Sequence, residues 1–262
     1  MDRMTSHKPD PELTVFRGLH DVGYTSSPFV TKLETRLRFE NVAYRVDVGS
    51  VTKAPRGKVP YVSMKHADGQ IEIMSDSTLI TKALIESGTL EDLNAYLSPA
   101  EKLSEISLRA LFEEKLYYYQ GYERWILNYY AMRSKILGSL PWPIQAVVGN
   151  IVYLKFKLTL SGMGILRFNA DEIAEFRREI WETASNQLVA VRAQSQDREG
   201  PFWLWGGDGP TEADTVLFGF IVSNLISAAG PDSTATIKSY PVLVDYARRV
   251  HDQYFPDYEP WE

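Results

Sequence analysis

The chain has 262 residues, 44% of them hydrophobic and 24% charged, with a net charge of −6. That composition fits one large or two small globular domains, and the acidic balance argues against a nucleic-acid partner. There is no cysteine, so disulfides, thiolate metal sites and a cysteine nucleophile are excluded, and any thiol chemistry must bring its sulfur in on a ligand.

The first twelve residues, MDRMTSHKPDPE, lack the apolar core of a secretory signal and read as a polar tail. Residues 13–17 alternate in the manner of a strand, with Leu13, Val15 and Arg17 on one side and Thr14 and Phe16 on the other. Residues 28–41 read as a helix: Ser27 stands as N-cap, Pro28 opens the first turn, and Phe29, Val30, Leu33 and Leu37 recur at helical spacing. Strands are expected at 44–48, 59–64 and 70–74, the last two joined by the Asp68-Gly69 turn, and a helix at 75–86. The order βαβ then ββα describes a small sheet with helices packed on it. It assigns 13–88 to an α/β domain, 89–98 to a polar linker and 99–262 to an all-α domain.

In the second half, Leu108, Leu111, Tyr118, Tyr122 and Trp125 fall on one stripe of a long helix. Further helices are expected at about 143–159, 170–193, 211–228 and 240–253. The stretch 143–166 is the most hydrophobic, but Gln145, Asn150, Lys155 and Lys157 interrupt it. It reads as a buried helix rather than a membrane span, with surface association left open, so a soluble, cytoplasmic protein without stable membrane insertion is expected. His7, His20, His66 and His251 are scattered without metal-ligand spacing, and no metal site is expected.

Several short motifs carry possible chemistry. Lys58-Val59-Pro60 opens a strand; with a cis Val59–Pro60 bond, the Val59 backbone would face an extended peptide, whereas a trans bond makes it an ordinary edge. Ser75-Asp76-Ser77 precedes a helix, where backbone N–H groups and the Ser77 hydroxyl bind carboxylates and Asp76 accepts from an ammonium, or where Asp76 is a plain N-cap. Thr211-Glu212-Ala213-Asp214 fits a capping box, though Pro210 and Thr215 make a poor staple. The run LYYYQGYERW, from Leu116 to Trp125, packs a core or lines an apolar pocket. Ser27 sits in the positive potential of a helix start, without a histidine base nearby in sequence, and is better suited to donate to an incoming thiolate than to attack. Tyr24 and Ser26 are rivals for that task.

The segments SPFVTKLETRLRFENVAYRV, APRGKVPYV, MGILRFNADEI and GDGPTEADTVLFGF occur in an order and spacing that resemble the glutathione transferase superfamily over about residues 13–255. They look most like its failed-axon-connections and metaxin-like branch, with omega- and zeta-like features. The resemblance implies a thioredoxin-like glutathione-binding domain followed by a helical bundle, with a substrate pocket between them. By position it implies that Ser27 activates the thiol, that Val59 pairs with the glutathione cysteine backbone beside a cis Pro60, that Asp76 and Ser77 hold the γ-glutamyl end, and that Lys58 meets the glycyl carboxylate. Tyr118, Tyr119 and Tyr122 fall where the second substrate binds. The implied activity is thiolate addition to a small apolar electrophile, ending in conjugation or in glutathione-recycling cis–trans isomerisation, for detoxification or secondary metabolism, by a homodimer. The alternative is a non-catalytic binding or adaptor protein that keeps the fold. Ser27 where omega members carry cysteine, and Val30 at the second redox position, argue against thiol–disulfide exchange by the protein itself.

Overall fold

A computed structural model describes residues 12–18, 23–66, 68–194 and 199–261. His7, His20 and most of the N-terminal tail lie outside the described residues.

The first half is a four-stranded sheet in the order β2-β1-β3-β4. Strand β1 (Glu12–Phe16) pairs parallel with β2 (Arg45–Asp47) and antiparallel with β3 (Tyr61–Lys65), which pairs antiparallel with β4 (Ile71–Ser75). The alternation read in β1 is realised: Leu13, Val15 and Arg17 are buried. Helices α1 (Pro28–Phe39) and α2 (Ser77–Glu86) lie on the sheet, where Leu33, Leu37, Ile80 and Leu84 join Leu13, Val15 and Val62 in one cluster. The β3–β4 turn passes through Gly69, whose φ of +84° only glycine adopts cheaply. Val59 and Pro60 precede β3 rather than opening it, and the bond between them is cis.

The second half is helical. Helix α3 (Pro99–Leu111) opens on a capping box between Ser98 and Glu101. It runs on through a π-helical turn (Phe112–Leu116), α4 (Tyr117–Tyr122) and a second π turn (Glu123–Leu127). Then come α5 (Tyr129–Leu137), α6 (Trp142–Gly162), α7 (Ala170–Gln194), α8 (Glu212–Leu225), α9 (Pro231–Lys238) and α10 (Pro241–Tyr254). Among the described residues, no helix is long and apolar enough to cross a membrane. Helix α9 was not foreseen in the sequence.

Two expectations are corrected. Of the expected stripe Trp125 is buried and Leu108, Tyr118 and Tyr122 are half-buried against the core, but Leu111 is exposed, and Phe112, Leu116, Tyr119 and Gln120, outside that stripe, are buried. Each π turn adds a residue to the helical period and rotates the face that follows, so a single straight-helix stripe does not hold. Second, α6 is not a buried helix. Gly149 and Leu160 are buried, but Ile144, Val147, Ile151, Leu154 and Leu158 face outward, because the segment is apolar on both sides and has neighbours on one.

The halves meet along α1 and α8. Helix α8 is buried along nearly its whole length, and at Gly219 a Cβ would lie 2.6 Å from the Pro28 carbonyl oxygen, so glycine lets α8 close onto the first turn of α1. The face of α1 turned from the sheet carries charges: Glu34 pairs with Arg17 of the first half at 3.7 Å, and the others pair across this seam. Lys32 Nζ reaches Glu113 at 2.6 Å, Arg36 reaches Glu212 at 2.5 Å, and Arg38 pairs with Asp257. Lys32, Glu34 and Arg36 are 2% exposed or less, and a buried ion deprived of its partner is costly, so these pairs fix how α1 sits. The Thr211 capping box forms as read: Asp214 accepts from the Thr211 N–H at 2.8 Å and the Thr211 hydroxyl at 2.9 Å. It also accepts from the Leu204 N–H at 2.8 Å and the Tyr246 hydroxyl at 3.1 Å.

Candidate functional site

Strand register decides what comes together. Phe16 at the end of β1 faces Tyr61 at the start of β3, and Tyr61 faces Ser75 at the end of β4. The segment leaving β1, the Val59–Pro60 bond and the Asp76–Ser77 pair therefore emerge at one end of the sheet. The chain leaving β1 returns to Ser27 and α1, so the N-termini of α1 and α2 share this end, and both put positive potential there. Lys32 Nζ donates to Thr78 Oγ1 at 2.8 Å and so ties the first turn of α2 to α1.

Ser27 is half-buried in the extended conformation of an N-cap (φ −88°, ψ 112°), yet its hydroxyl makes no capping bond. The side chain is thus an unspent donor at a helix start. Ser26 is 8% exposed, and its carbonyl accepts from Arg124 Nη1 at 3.0 Å. Tyr24 points away. Its hydroxyl is 2.8 Å from His251 Nδ1, and its ring packs against Phe218, Phe255, Tyr258 and Trp261. Burial raises its pKa far above the ordinary phenol value. The Tyr24 hydroxyl is spent on the C-terminal aromatic cluster, which distinguishes it from Ser27.

Val59 packs its side chain over Gly18 of the segment leaving β1, where a Cβ would lie 3.1 Å from Val59 Cγ1. No turn or sheet bond to a described residue engages the Val59 backbone N–H or C=O. Pro60 is buried and Lys58 is exposed. Asp76 holds φ +81°, a conformation that costs a non-glycine residue about 1–3 kcal/mol and clusters at functional sites. Its Oδ1 caps α2, accepting from the Thr78 and Leu79 N–H groups at 3.1 and 3.3 Å, which leaves Oδ2 facing solvent. Ser77 beside it is buried.

The aromatic run divides. Tyr119 is buried against Phe176 of α7, so it serves helix packing and does not face the sheet end. Tyr118 and Tyr122 are half-buried. The ring that meets α1 is Tyr117, which was not foreseen: it stands edge-on to Phe29 at 5.1 Å and to Tyr118 at 5.2 Å. Burial raises the Tyr117 pKa, so the phenol stays neutral. Phe29, which lies two residues along α1 from Ser27, forms a row of aromatic rings with Tyr117 and Tyr118.

Arg124 was also missed. It is buried, and besides Ser26 it holds the Ser223 carbonyl at 2.9 Å and Asn224 Oδ1 at 3.0 Å. Burial lowers its pKa to about 10, still ample to keep the charge. The guanidinium pins the loop before Ser27 to the end of α8. An arginine in an aromatic helix gives no sequence sign of which loop it reaches.

His251 is the titrating partner of this region. Burial depresses its pKa below the ordinary 6.5, so the folded protein holds it neutral. As pH falls through about 6.5, the unfolded chain takes up a proton that the fold resists, and stability declines until the depressed folded value is reached. Thermal melts between pH 7.5 and pH 5 are expected to show this loss, and His251→Gln should flatten the slope in that window. An unchanged slope would mean that other groups set it.

Among the described residues, no cluster of histidine and carboxylate groups could hold a metal. An open depression of about 440 Å³ lies between α8 and α9, lined by Leu225, Ile226, Pro231 and Lys238, apart from the residues above.

Residues 28–132 match the family model of the glutathione S-transferase N-terminal domain. Solved structures share the fold at low identity. A glutathione transferase family member from Pseudomonas fluorescens, with two glutathione molecules bound, is 13% identical with a TM-score of 0.55, covering 92% of this chain and 88% of that one. A maleylacetoacetate isomerase from Anaeromyxobacter dehalogenans, with bound dicarboxyethyl glutathione and citrate in the active site, is 15% identical with a TM-score of 0.51, covering 96% and 94%. Glutathione transferase Omega 2S from Trametes versicolor is 12% identical with a TM-score of 0.51, covering 92% and 88%. The chain has the glutathione transferase fold, a thioredoxin-like N-terminal domain joined to a helical domain.

Proposed function

We propose that this chain is a glutathione-dependent enzyme in which Ser27 polarises the thiol of bound glutathione. One observation carries the reading: a free hydroxyl stands at the α1 N-terminus, at the same sheet end as Val59, Asp76 and Ser77. The residues fit a γ-glutamyl tripeptide. The Val59 N–H and C=O offer one rung of extended pairing. The Ser77 hydroxyl and N–H suit a carboxylate, the Asp76 Oδ2 suits an ammonium, and exposed Lys58 suits the second carboxylate.

Glutathione supplies the nucleophilic sulfur that this cysteine-free chain lacks. The Ser27 hydroxyl donates to that sulfur, and the α1 N-terminus favours its anionic form, so the thiol deprotonates nearer neutral pH. Phe29, Tyr117, Tyr118 and Tyr122 hold a small apolar electrophile against it. Retention of the new bond gives conjugation; addition to a conjugated double bond, rotation about the single bond left in the adduct, and expulsion of the thiolate to restore the double bond give cis–trans isomerisation. The isomerase among the fold neighbours supports keeping the second outcome. The motif resemblance to the failed-axon-connections and metaxin-like branch, a cytoplasmic location and a homodimer belong to the same proposal.

Calorimetric titration with glutathione tests it. Saturable binding below millimolar concentration is expected, weakened by Asp76→Ala through loss of the ammonium contact. No heat at millimolar glutathione would remove the enzyme reading and leave a non-catalytic adaptor with this fold. Glutathione consumed in proportion to product marks conjugation, and glutathione recovered intact marks isomerisation.

A further inference from the structure

The second half holds a surface that the proposed chemistry does not use. Between Glu123 and Asp171 the chain has no acidic residue and six basic ones: buried Arg124, then Arg133, Lys135, Lys155, Lys157 and Arg167. The net charge of −6 is therefore carried wholly outside this stretch. The same stretch builds the α5–α6 hairpin, closed by the Tyr129 hydroxyl on Asn150 Oδ1 at 3.1 Å and by Tyr129 edge-on to Tyr153 at 5.3 Å.

Its outer side is apolar. Trp142 is 70% exposed, and Ile144, Val147, Ile151, Leu154 and Leu158, between 49% and 72% exposed, recur at steps of three and four residues along one stripe of α6. At 3.6 residues per turn, Lys155 borders that stripe on one side, and Lys157 borders it on the other, past Asn150 and Ser161. Both lysines are exposed. The outer face of α6, an exposed apolar stripe flanked by lysines with a tryptophan at one end, suits a bilayer interface, while Val152 and Phe156 on its other side pack against Trp125 and Met132.

We propose that the α5–α6 hairpin docks on the surface of an anionic lipid bilayer, with the α6 stripe in the headgroup boundary and Lys155 and Lys157 on lipid phosphates. Charge selects this occupant. A second copy of the hairpin would oppose one lysine-flanked stripe to another, whereas anionic headgroups neutralise the lysines. The docking is peripheral, since no helix of the described residues is long and apolar enough to span.

The test is flotation of the full chain with phosphatidylcholine vesicles, with and without about one-third phosphatidylserine. Binding is expected to the anionic vesicles only, weakening as salt rises. The exposed pair K155Q/K157Q should lower the partition coefficient about thirty-fold, and L154E/L158E should abolish binding while both keep the parent's melting profile. Equal binding to both vesicle types, or to neither, would overturn the proposal. So would a vesicle-independent dimer, seen by light scattering, that L154E/L158E splits.

Discussion

Ser27→Ala is expected to lower turnover roughly ten- to thousand-fold, the cost of losing one oriented donor to a developing anion, while glutathione affinity stays within a few-fold. Stability should hardly change. An N-cap serine replaced by alanine ordinarily costs about 1 kcal/mol, but the Ser27 hydroxyl makes no capping bond, so that penalty has little to act on. The thermal melt and the turnover number should therefore part company. Ser27→Thr, which keeps a hydroxyl, should recover part of the rate. Tyr24→Phe should do the reverse: it breaks the bond to His251 inside the aromatic cluster, lowering stability while leaving the chemistry in place. If Ser27→Ala turned over normally and Tyr24→Phe were dead, the roles assigned to these two hydroxyls would have to be exchanged.

Asp214→Ala is expected to be the most damaging single change to the fold. Its carboxylate, fully buried, accepts from the N–H groups of Thr211 and Leu204 and from the hydroxyls of Thr211 and Tyr246. Alanine leaves buried donors without an acceptor, at about 1–3 kcal/mol each and not additively. A loss of about 4 kcal/mol or more is expected in urea unfolding, against a typical domain stability of about 5–15 kcal/mol. Asp214→Asn keeps one acceptor oxygen and should cost less. The damage should spread to the site, because α8 starts at this box and closes onto the first turn of α1 at Gly219. A cost under about 1 kcal/mol would show that the surrounding donors find other partners or water.

What the sequence disclosed and what it hid follow from how far each signal reaches along the chain. Ser27-Pro28, Asp76 and the Thr211 box act within a few residues, and α1, α2 and α8 begin beside them. The alternation in β1 placed Arg17 inward, against expectation for a charge, and Arg17 is buried beside Glu34 at 3.7 Å. Lys32, Glu34 and Arg36 misled in the other direction. On a helix they look like a solvated face, and only the helical half lying over α1 makes them an interior. Arg124 was opaque for the same reason: its partners on Ser26, Ser223 and Asn224 are about a hundred residues away. In α6 the apolar content was plain, but composition cannot say which side of an apolar helix finds neighbours. Tyr117 rather than Tyr119 meets Phe29 of α1, and the π turn before them rotates that face of the long helix.

The most direct measurement is a crystal structure with glutathione bound, read at its sulfur. The Ser27 Oγ should be the nearest protein hydroxyl and within hydrogen-bond reach, with the tripeptide cysteine paired to the backbone of Val59. A sulfur turned from Ser27 toward another donor, or a tripeptide seated away from this end of the sheet, would contradict the account.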